Sequence, residues 1–220
     1  MSSKLDIRTF TSRVFSQNAY LVRCAAGGGW VAIDPGGEAV AMADVLEEEG
    51  GELAGVVLTH AHLDHVEGVA DLVERVPAPI WLHPADRPLY DSVAEQAAMF
   101  GHPVRTPPPP DRDLVGGEPL ELGGCAFEVR HAPGHAPGHV ILYAGAAGVA
   151  FVGDVVFAGS IGRTDLPGGS WQELMTSIRE QVLTLPAQTR LYTGHGPATT
   201  VERERTTNPF LIPNHPGSRA

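Results

Sequence analysis

Apolar positions along this chain follow two rhythms, and each predicts a different kind of element. Short runs rich in β-branched and aromatic residues, bounded by glycine or polar turns, open the sequence. LDIRTF (5–10), AYLVRC (19–24) and WVAIDP (30–35) read as successive strands. Residues 38–49, EAVAMADVLEEE, carry a helical pattern that Gly50-Gly51 closes. LAGVVLTH (53–60) is a nearly unbroken apolar run, as expected of a buried strand, and it leads straight into THAHLDHVEG at 59–68. VEGVADLVERV (66–76) returns to helical spacing, and PIWLH (79–83) to a strand.

From 101 to 118 the rhythm stops. GHPVRTPPPPDRDLVGGE holds four consecutive prolines at 107–110, which cannot enter a helix or a sheet interior. This stretch is expected to be a rigid surface connection between two halves of one domain spanning residues 1–220, since neither half is self-sufficient. Beyond it, FEVRHAPG (127–134) predicts a strand ending in a loop and HVILYAG (139–145) another strand. VAFVGDVVF (149–157) predicts a buried strand that breaks at Gly153-Asp154. SWQELMTSIREQVLTL (170–185) is helical, with Ser170 as N-cap and Glu173 completing a capping box. RLYTGHGP (190–197) is a last strand, and TTVERERT a short final helix. Strands followed by helices in each half predict a layered α/β protein.

Composition narrows the function. With 43% hydrophobic and 19% charged residues the chain is a folded globular protein. Its 26 acidic and 15 basic residues give a net charge of −11, which argues against nucleic acid or an anionic membrane as partner. The N-terminal stretch MSSKLDIRTFTSRVF lacks the apolar core of a signal peptide, and no later stretch approaches a membrane span. Cys24 and Cys125, far apart in sequence, are expected to be buried free thiols, and the location cytoplasmic.

The chemistry gathers at strand ends. His60 follows VVLT, His135 follows FEVRHAPG, Asp154 follows VAFVG and His195 follows LYTG. Loops at strand ends, held by a rigid sheet, are where α/β proteins place functional groups. Neutral imidazole and carboxylate are the ligands that zinc and its first-row neighbours take. His60 and His62, two apart in an extended loop, can converge on one ion. Asp64 and His65, a turn further on, can face a second. For His83, His102, His131, His139 and His215 a surface or hydrogen-bonded role is expected instead.

The H-A-H-L-D-H stretch resembles the H-x-H-x-D-H signature of the metallo-β-lactamase superfamily, and further elements fall in that family's order. HAPGHAPGH (131–139) resembles the loop that supplies the third histidine, here His135 by position. GDVVF (153–157) resembles the segment of the bridging aspartate, here Asp154, and GHGP (194–197) the loop of the last histidine, here His195. The resemblance spans residues 18 to 212. AGSIGRTDLPGGS (158–170) and ERERTTNPFL (202–211) are most similar to glyoxalase II, the hydroxyacylglutathione hydrolases, in their short bacterial form.

That resemblance implies an αβ/βα sandwich, two mixed sheets packed face to face with helices outside. It also implies two divalent metals, zinc first, with iron or manganese as alternatives. His60, His62 and His135 would hold one, Asp64, His65 and His195 the other, with Asp154 between them. The implied reaction is hydrolysis of a small-molecule thioester such as S-lactoylglutathione by water deprotonated between the metals. Asp64 would serve as ligand alone, or also orient the attacking group. Arg163 would contact an anionic substrate carboxylate, or else pair with Asp165. Only residues 196–220 follow His195, so the C-terminal helical domain that supplies basic residues to glutathione in larger relatives is not expected, which puts glutathione specificity in doubt. Two alternatives share the fold. One is a persulfide dioxygenase with a single iron on His60, His135 and Asp154, and the other a lactonase or esterase.

Overall fold

The computed structural model describes residues 4–24 and 27–212. The chain begins with three antiparallel strands, β1 (Leu5–Thr11), β2 (Asn18–Cys24) and β3 (Trp30–Ile33). Helix α1 (Ala39–Glu48) leads to β4 (Leu53–Val57), parallel to β3. Two short helices follow, α2 (Leu63–Val66) and α3 (Val69–Arg75), then β5 (Ile80–Leu82), parallel to β4. Residues 84–100, which show no clear period, fold largely as α4 (Arg87–Asp91) and α5 (Val93–Met99). The proline run has no regular structure. It is pinned by burial of Pro107 and Pro110 and by the Tyr90 hydroxyl donating to Pro108 O at 2.7 Å. Its exit, β6 (Arg112–Asp113), adds a parallel edge strand to β5 and completes a six-stranded sheet in order β1-β2-β3-β4-β5-β6.

The second sheet takes β7 (Pro119–Leu122), β8 (Cys125–His131), β9 (Val140–Ala144) and β10 (Val149–Gly153) as an antiparallel run. A two-stranded hairpin, β11 (Val156–Phe157) and β12 (Ser160–Ile161), and helix α6 (Trp171–Ser177) intervene. β13 (Arg190–Thr193) then returns parallel to β10, β14 (Thr199–Thr200) closes the edge, and α7 (Val201–Thr207) follows. The order is β14-β13-β10-β9-β8-β7.

Side-chain alternation builds the layers. In β2, Tyr20, Val22 and Cys24 face the second sheet and meet Phe127, Val129, Leu142 and Phe151, while Ala19 and Leu21 face the helices beside Met42, Leu46 and Leu72. β10 does the same: Val149 and Phe151 join the inter-sheet core, and Ala150 and Val152 pack with Leu174 and Ile178 outside. Strands covered on both faces need apolar residues at every position, which is why they read as unbroken runs. The two mixed sheets with outer helices form the sandwich that the resemblance implied. Cys24 and Cys125 are buried free thiols in the inter-sheet core, as expected.

Two expected helices differ in detail. The helix expected over 66–76 is divided at Gly68, whose amide donates to Pro35 O at 3.1 Å. A Cβ there would lie 2.1 Å from Gly36 O, so the backbone passes too close to the β3 loop for any side chain. The helix expected over 170–185 is α-helical only to Ser177 and continues as a π-helical turn over Ile178–Val182. Ser170 caps its start, accepting from the Glu173 amide at 3.3 Å. No helix among the described residues is long and apolar enough to cross a membrane.

Candidate metal centre

The loops after β4, β8, β10 and β13 bring together the histidines and aspartates singled out in the sequence. The edge where they meet is tied across the sheets. The Tyr20 hydroxyl donates to Thr193 O at 2.6 Å, the Asn18 amide to Gly194 O at 2.7 Å, and the Val140 amide to Thr59 O at 2.8 Å.

Three groups have ligand atoms within 4.8 Å of one another: His60, His62 and His135; His60, His65 and Asp154; and Asp64, His65 and His195. His62 Nδ1 lies 2.8 Å from His135 Nε2, so the two nitrogens face one point. Asp154 reaches both ends of the array. Its Oδ1 is 3.3 Å from His65 Nε2, and its Oδ2 is 3.5 Å from both His135 Nε2 and His195 Nε2. Asp64 Oδ2 is 3.1 Å from His195 Nε2.

Surrounding acceptors fix the tautomers. His135 Nδ1 donates to Arg163 O at 2.8 Å, and His65 Nδ1 to Asp34 Oδ2 at 3.0 Å. The Thr59 hydroxyl donates to Asp34 Oδ2 at 2.6 Å, so it accepts from His60 Nδ1 at 3.1 Å. Each of the three rings therefore keeps its Nε2 lone pair for the centre. His60 Nε2, His65 Nε2 and Asp154 Oδ1 are buried and lack a hydrogen-bond partner. Buried lone pairs without donors are costly unless a cation meets them, and the N/O donor set suits a divalent first-row metal.

The two ends of the array differ in charge. Burial, reinforced by neighbouring imidazoles, holds His60 well below the usual histidine range and pushes His62 down to about 3. Burial also lowers His135. These rings stay neutral, as ligands must. At the other end burial is outweighed. Asp64, Asp154 and Asp34 hold His65 well above its usual value, and Asp64 and Asp154 raise His195. Asp154 is held far below the carboxylate range, burial being overcome by His65, and His65 and His195 likewise lower Asp64.

Further polar residues support the array from positions the sequence reading did not single out. Asp34, at the end of WVAID, accepts from the Thr59 amide at 2.7 Å as well as from the Thr59 hydroxyl and His65. Asp86, fully buried, accepts from the Ala61 and Gly138 amides and so joins the His60–His62 loop to the His135 loop. His139, expected to be a hydrogen-bonded bystander, accepts from the Asp154 amide at 3.0 Å and stacks on His60 at 4.7 Å. His102 pairs with Glu67, and His83 stacks on His131. His215 lies outside the described residues. Gly194 allows a close approach: a Cβ there would sit 1.9 Å from Asp154 Oδ1.

The array floors a cavity of about 540 Å³, lined in part by His62, Asp64, His135, Asp154 and His195, with Arg163 also on its wall. The Arg163 guanidinium is clamped two-pronged by Asp165, with both bonds at 2.7 Å. Asp165 takes Nε and Nη2, so a substrate carboxylate would share the guanidinium with it through the remaining N–H groups.

A sandwich of two mixed sheets carrying buried histidines and aspartates at the base of a cleft defines a metallo-hydrolase. The chain belongs to the metallo-beta-lactamase superfamily, whose family model matches residues 12–195. It is 40% identical over 209 residues to the hydroxyacylglutathione hydrolase GloC of Haemophilus influenzae, covering 94% of this chain and 98% of that protein. Among solved structures it is similar to the BLEG-1 B3 metallo-beta-lactamase, with TM-score 0.88 and 36% identity over 94% of this chain and 100% of that one. It is also similar to TTHA1623, solved in a di-iron-bound form, with TM-score 0.85 and 43% identity over 93% of this chain and 100% of that one.

Proposed function

We propose that this metallo-hydrolase is a glyoxalase II-like thioesterase that cleaves small S-acyl thioesters at a two-metal centre. The observation that carries the reading is Asp154, whose two oxygens face different histidines, Oδ1 toward His65 and Oδ2 toward His135 and His195. In this reading His60, His62 and His135 would hold the first cation and Asp64, His65 and His195 the second, with Asp154 available to both. Zinc is the first choice on ligand chemistry. Iron is the alternative, supported by the di-iron form of TTHA1623. The chemistry supplied there when metal is bound would be a lowered water pKa and withdrawal of charge from a carbonyl.

The chain's own residues do the rest. The Arg163 carbonyl and Asp34 keep His135 and His65 in the ligating tautomer. Asp64, one-fifth exposed and lining the cavity, is the residue we assign to orienting the attacking water and receiving its proton. A thiolate leaves without a general acid, and neither cysteine lines the cavity, so no covalent intermediate is invoked. The resemblance to GloC supports S-lactoylglutathione as the first substrate to assay.

The test is metal content of the purified protein measured together with hydrolysis of S-lactoylglutathione and a panel of other thioesters. Two metals per chain and metal-dependent turnover are expected, with His195→Ala losing the second metal and most of the rate. Unchanged metal content and rate in His195→Ala would refute the two-metal assignment. One iron per chain with oxygen uptake on glutathione persulfide would replace the hydrolase by a dioxygenase.

A further inference from the structure

The cavity above the metal centre has walls of a definite chemical character. Its lining includes Phe15, Leu63, Met99, Phe100, Phe157 and Leu166. Leu63 sits between His62 and Asp64 in sequence, and the Phe157 ring lies edge-on 5.7 Å from His195, so apolar side chains stand directly beside the array. Phe15 and Phe100 meet edge to face at 6.0 Å and make an aromatic platform. Met99 is 73% exposed and Phe100 61%, an unusual placement for large apolar side chains unless something covers them. The charged groups on the wall away from the array are Glu95 and Arg163, and Arg163 is already held by Asp165. Arg163 apart, no cation among the described residues lines the cavity away from the array to collect the carboxylates of an anionic thiol carrier.

We propose that this cavity is an acyl-binding site for apolar acyl groups, aromatic or medium-length aliphatic, with Phe15, Met99 and Phe100 setting the preference. The proposal rests on the thioesterase reading above and names the substrate class that reading leaves open. The covering group is the substrate's acyl chain and not a protein surface, because the apolar walls enclose a concavity whose floor is the metal centre. Its volume of about 540 Å³ is in the range of small-molecule sites. A hydrophilic acyl group such as lactoyl leaves these walls wet and gains nothing from them, whereas each methylene fully removed from water is worth about fourfold in affinity.

The experiment uses S-acyl N-acetylcysteamines, whose carrier is small and uncharged, with acetyl, butanoyl, hexanoyl, phenylacetyl and lactoyl groups. It compares the metal-loaded protein with Phe100→Ala and Met99→Ala, and calorimetry follows binding of the non-hydrolysable S-ethyl and S-hexyl thioethers. The expected result is a kcat/KM about tenfold or more higher for hexanoyl than for acetyl, the scale of four partly buried methylenes. That ratio should fall by at least about threefold in Phe100→Ala, and S-hexyl binding should weaken in parallel. Turnover of all thioesters with no dependence on acyl length would overturn the proposal and leave the thioesterase reading intact. Length-dependent thioether binding with no hydrolysis of any thioester would uphold the apolar site and overturn the thioesterase reading. A shift of Phe100→Ala from dimer to monomer, with acyl preference unchanged, would mean a second copy of the chain covers the patch and would also overturn it.

Discussion

Replacing Asp34 by asparagine should disable the second metal position while leaving every first-contact ligand in place. Asp34 is 1% exposed and accepts three hydrogen bonds, from the Thr59 amide at 2.7 Å, the Thr59 hydroxyl at 2.6 Å and His65 Nδ1 at 3.0 Å. The Thr59 amide can only donate, so it claims the single oxygen of the new side chain. The NH₂ group then faces His65 Nδ1 and accepts nothing from it. His65 must either move its proton to Nε2, the atom that faces Asp64 and Asp154, or keep Nδ1–H as a buried donor without a partner. The second choice, which metal binding requires, forfeits a charge-assisted hydrogen bond worth about 1.5–3 kcal/mol. At 1.4 kcal/mol per decade this is about tenfold to a hundredfold in second-metal affinity, with activity falling in step. Competition against a chromophoric chelator measures both affinities, and the first position, anchored by His60, His62 and His135, should change less. A second-metal affinity within about threefold of wild type would refute the tautomer argument.

The charge contrast within the array predicts an order of metal loss with pH. Neighbouring carboxylates raise His65 and His195, so protons compete with a cation for them at higher pH than for His60, His62 and His135, which burial lowers. Dialysis from pH 8 to pH 6 should therefore empty the second position first, by up to about tenfold in affinity per pH unit for each proton displaced, as metal analysis of the dialysed protein would show. Gly194→Ala puts a methyl carbon within 1.9 Å of Asp154 Oδ1 and 2.8 Å of His65 Cε1, so metal content and rate should drop at least about tenfold, checked by elemental analysis beside the melting curve of the metal-free protein. Asp86 gives a stability test. Burial pushes it from 3.8 up to about 6, so the fold holds its proton more tightly than the unfolded chain does. The stability this supplies is complete below about pH 4 and is lost as pH rises through 6. Asp86→Asn should flatten that part of the Tm–pH curve, and an unchanged slope would exclude Asp86 as its source.

What could be read in the sequence was whatever is local. H-A-H-L-D-H places four candidate ligands within six residues, and Gly134-His135, Gly153-Asp154 and Gly194-His195 each lie at a strand end or in the loop that follows it, so pattern alone picked out the residues that converge. The layered α/β arrangement was legible for a related reason, since strands such as β2 and β10 are covered on both faces and show it as apolar runs, whereas the two-sheet sandwich followed from the family resemblance. The supporting residues were not legible, because their roles come from contacts across the fold. Asp34 meets Thr59 and His65 only after β3 and β4 pair, and Asp86 joins Ala61 to Gly138 across two halves of the chain. The signal for Asp34 was present in an aspartate ending a buried strand before Pro35-Gly36-Gly37. Gly68 shows the converse case, where helical periodicity is overruled by one close backbone crossing.

The division of the array between the sheets has a consequence for how the protein matures. In each of its three clusters, two members follow β4 in the first sheet and the third follows a strand of the second: His135 with His60 and His62, Asp154 with His60 and His65, His195 with Asp64 and His65. The first half of a nascent chain can offer a cation no more than a pair of ligands at any of these points. The third arrives only when the second half docks. On the proposed assignment, tight metal uptake would report a finished sandwich, and a captured cation would act as a clasp between the two sheets, resisting their separation at the edge where the cavity opens.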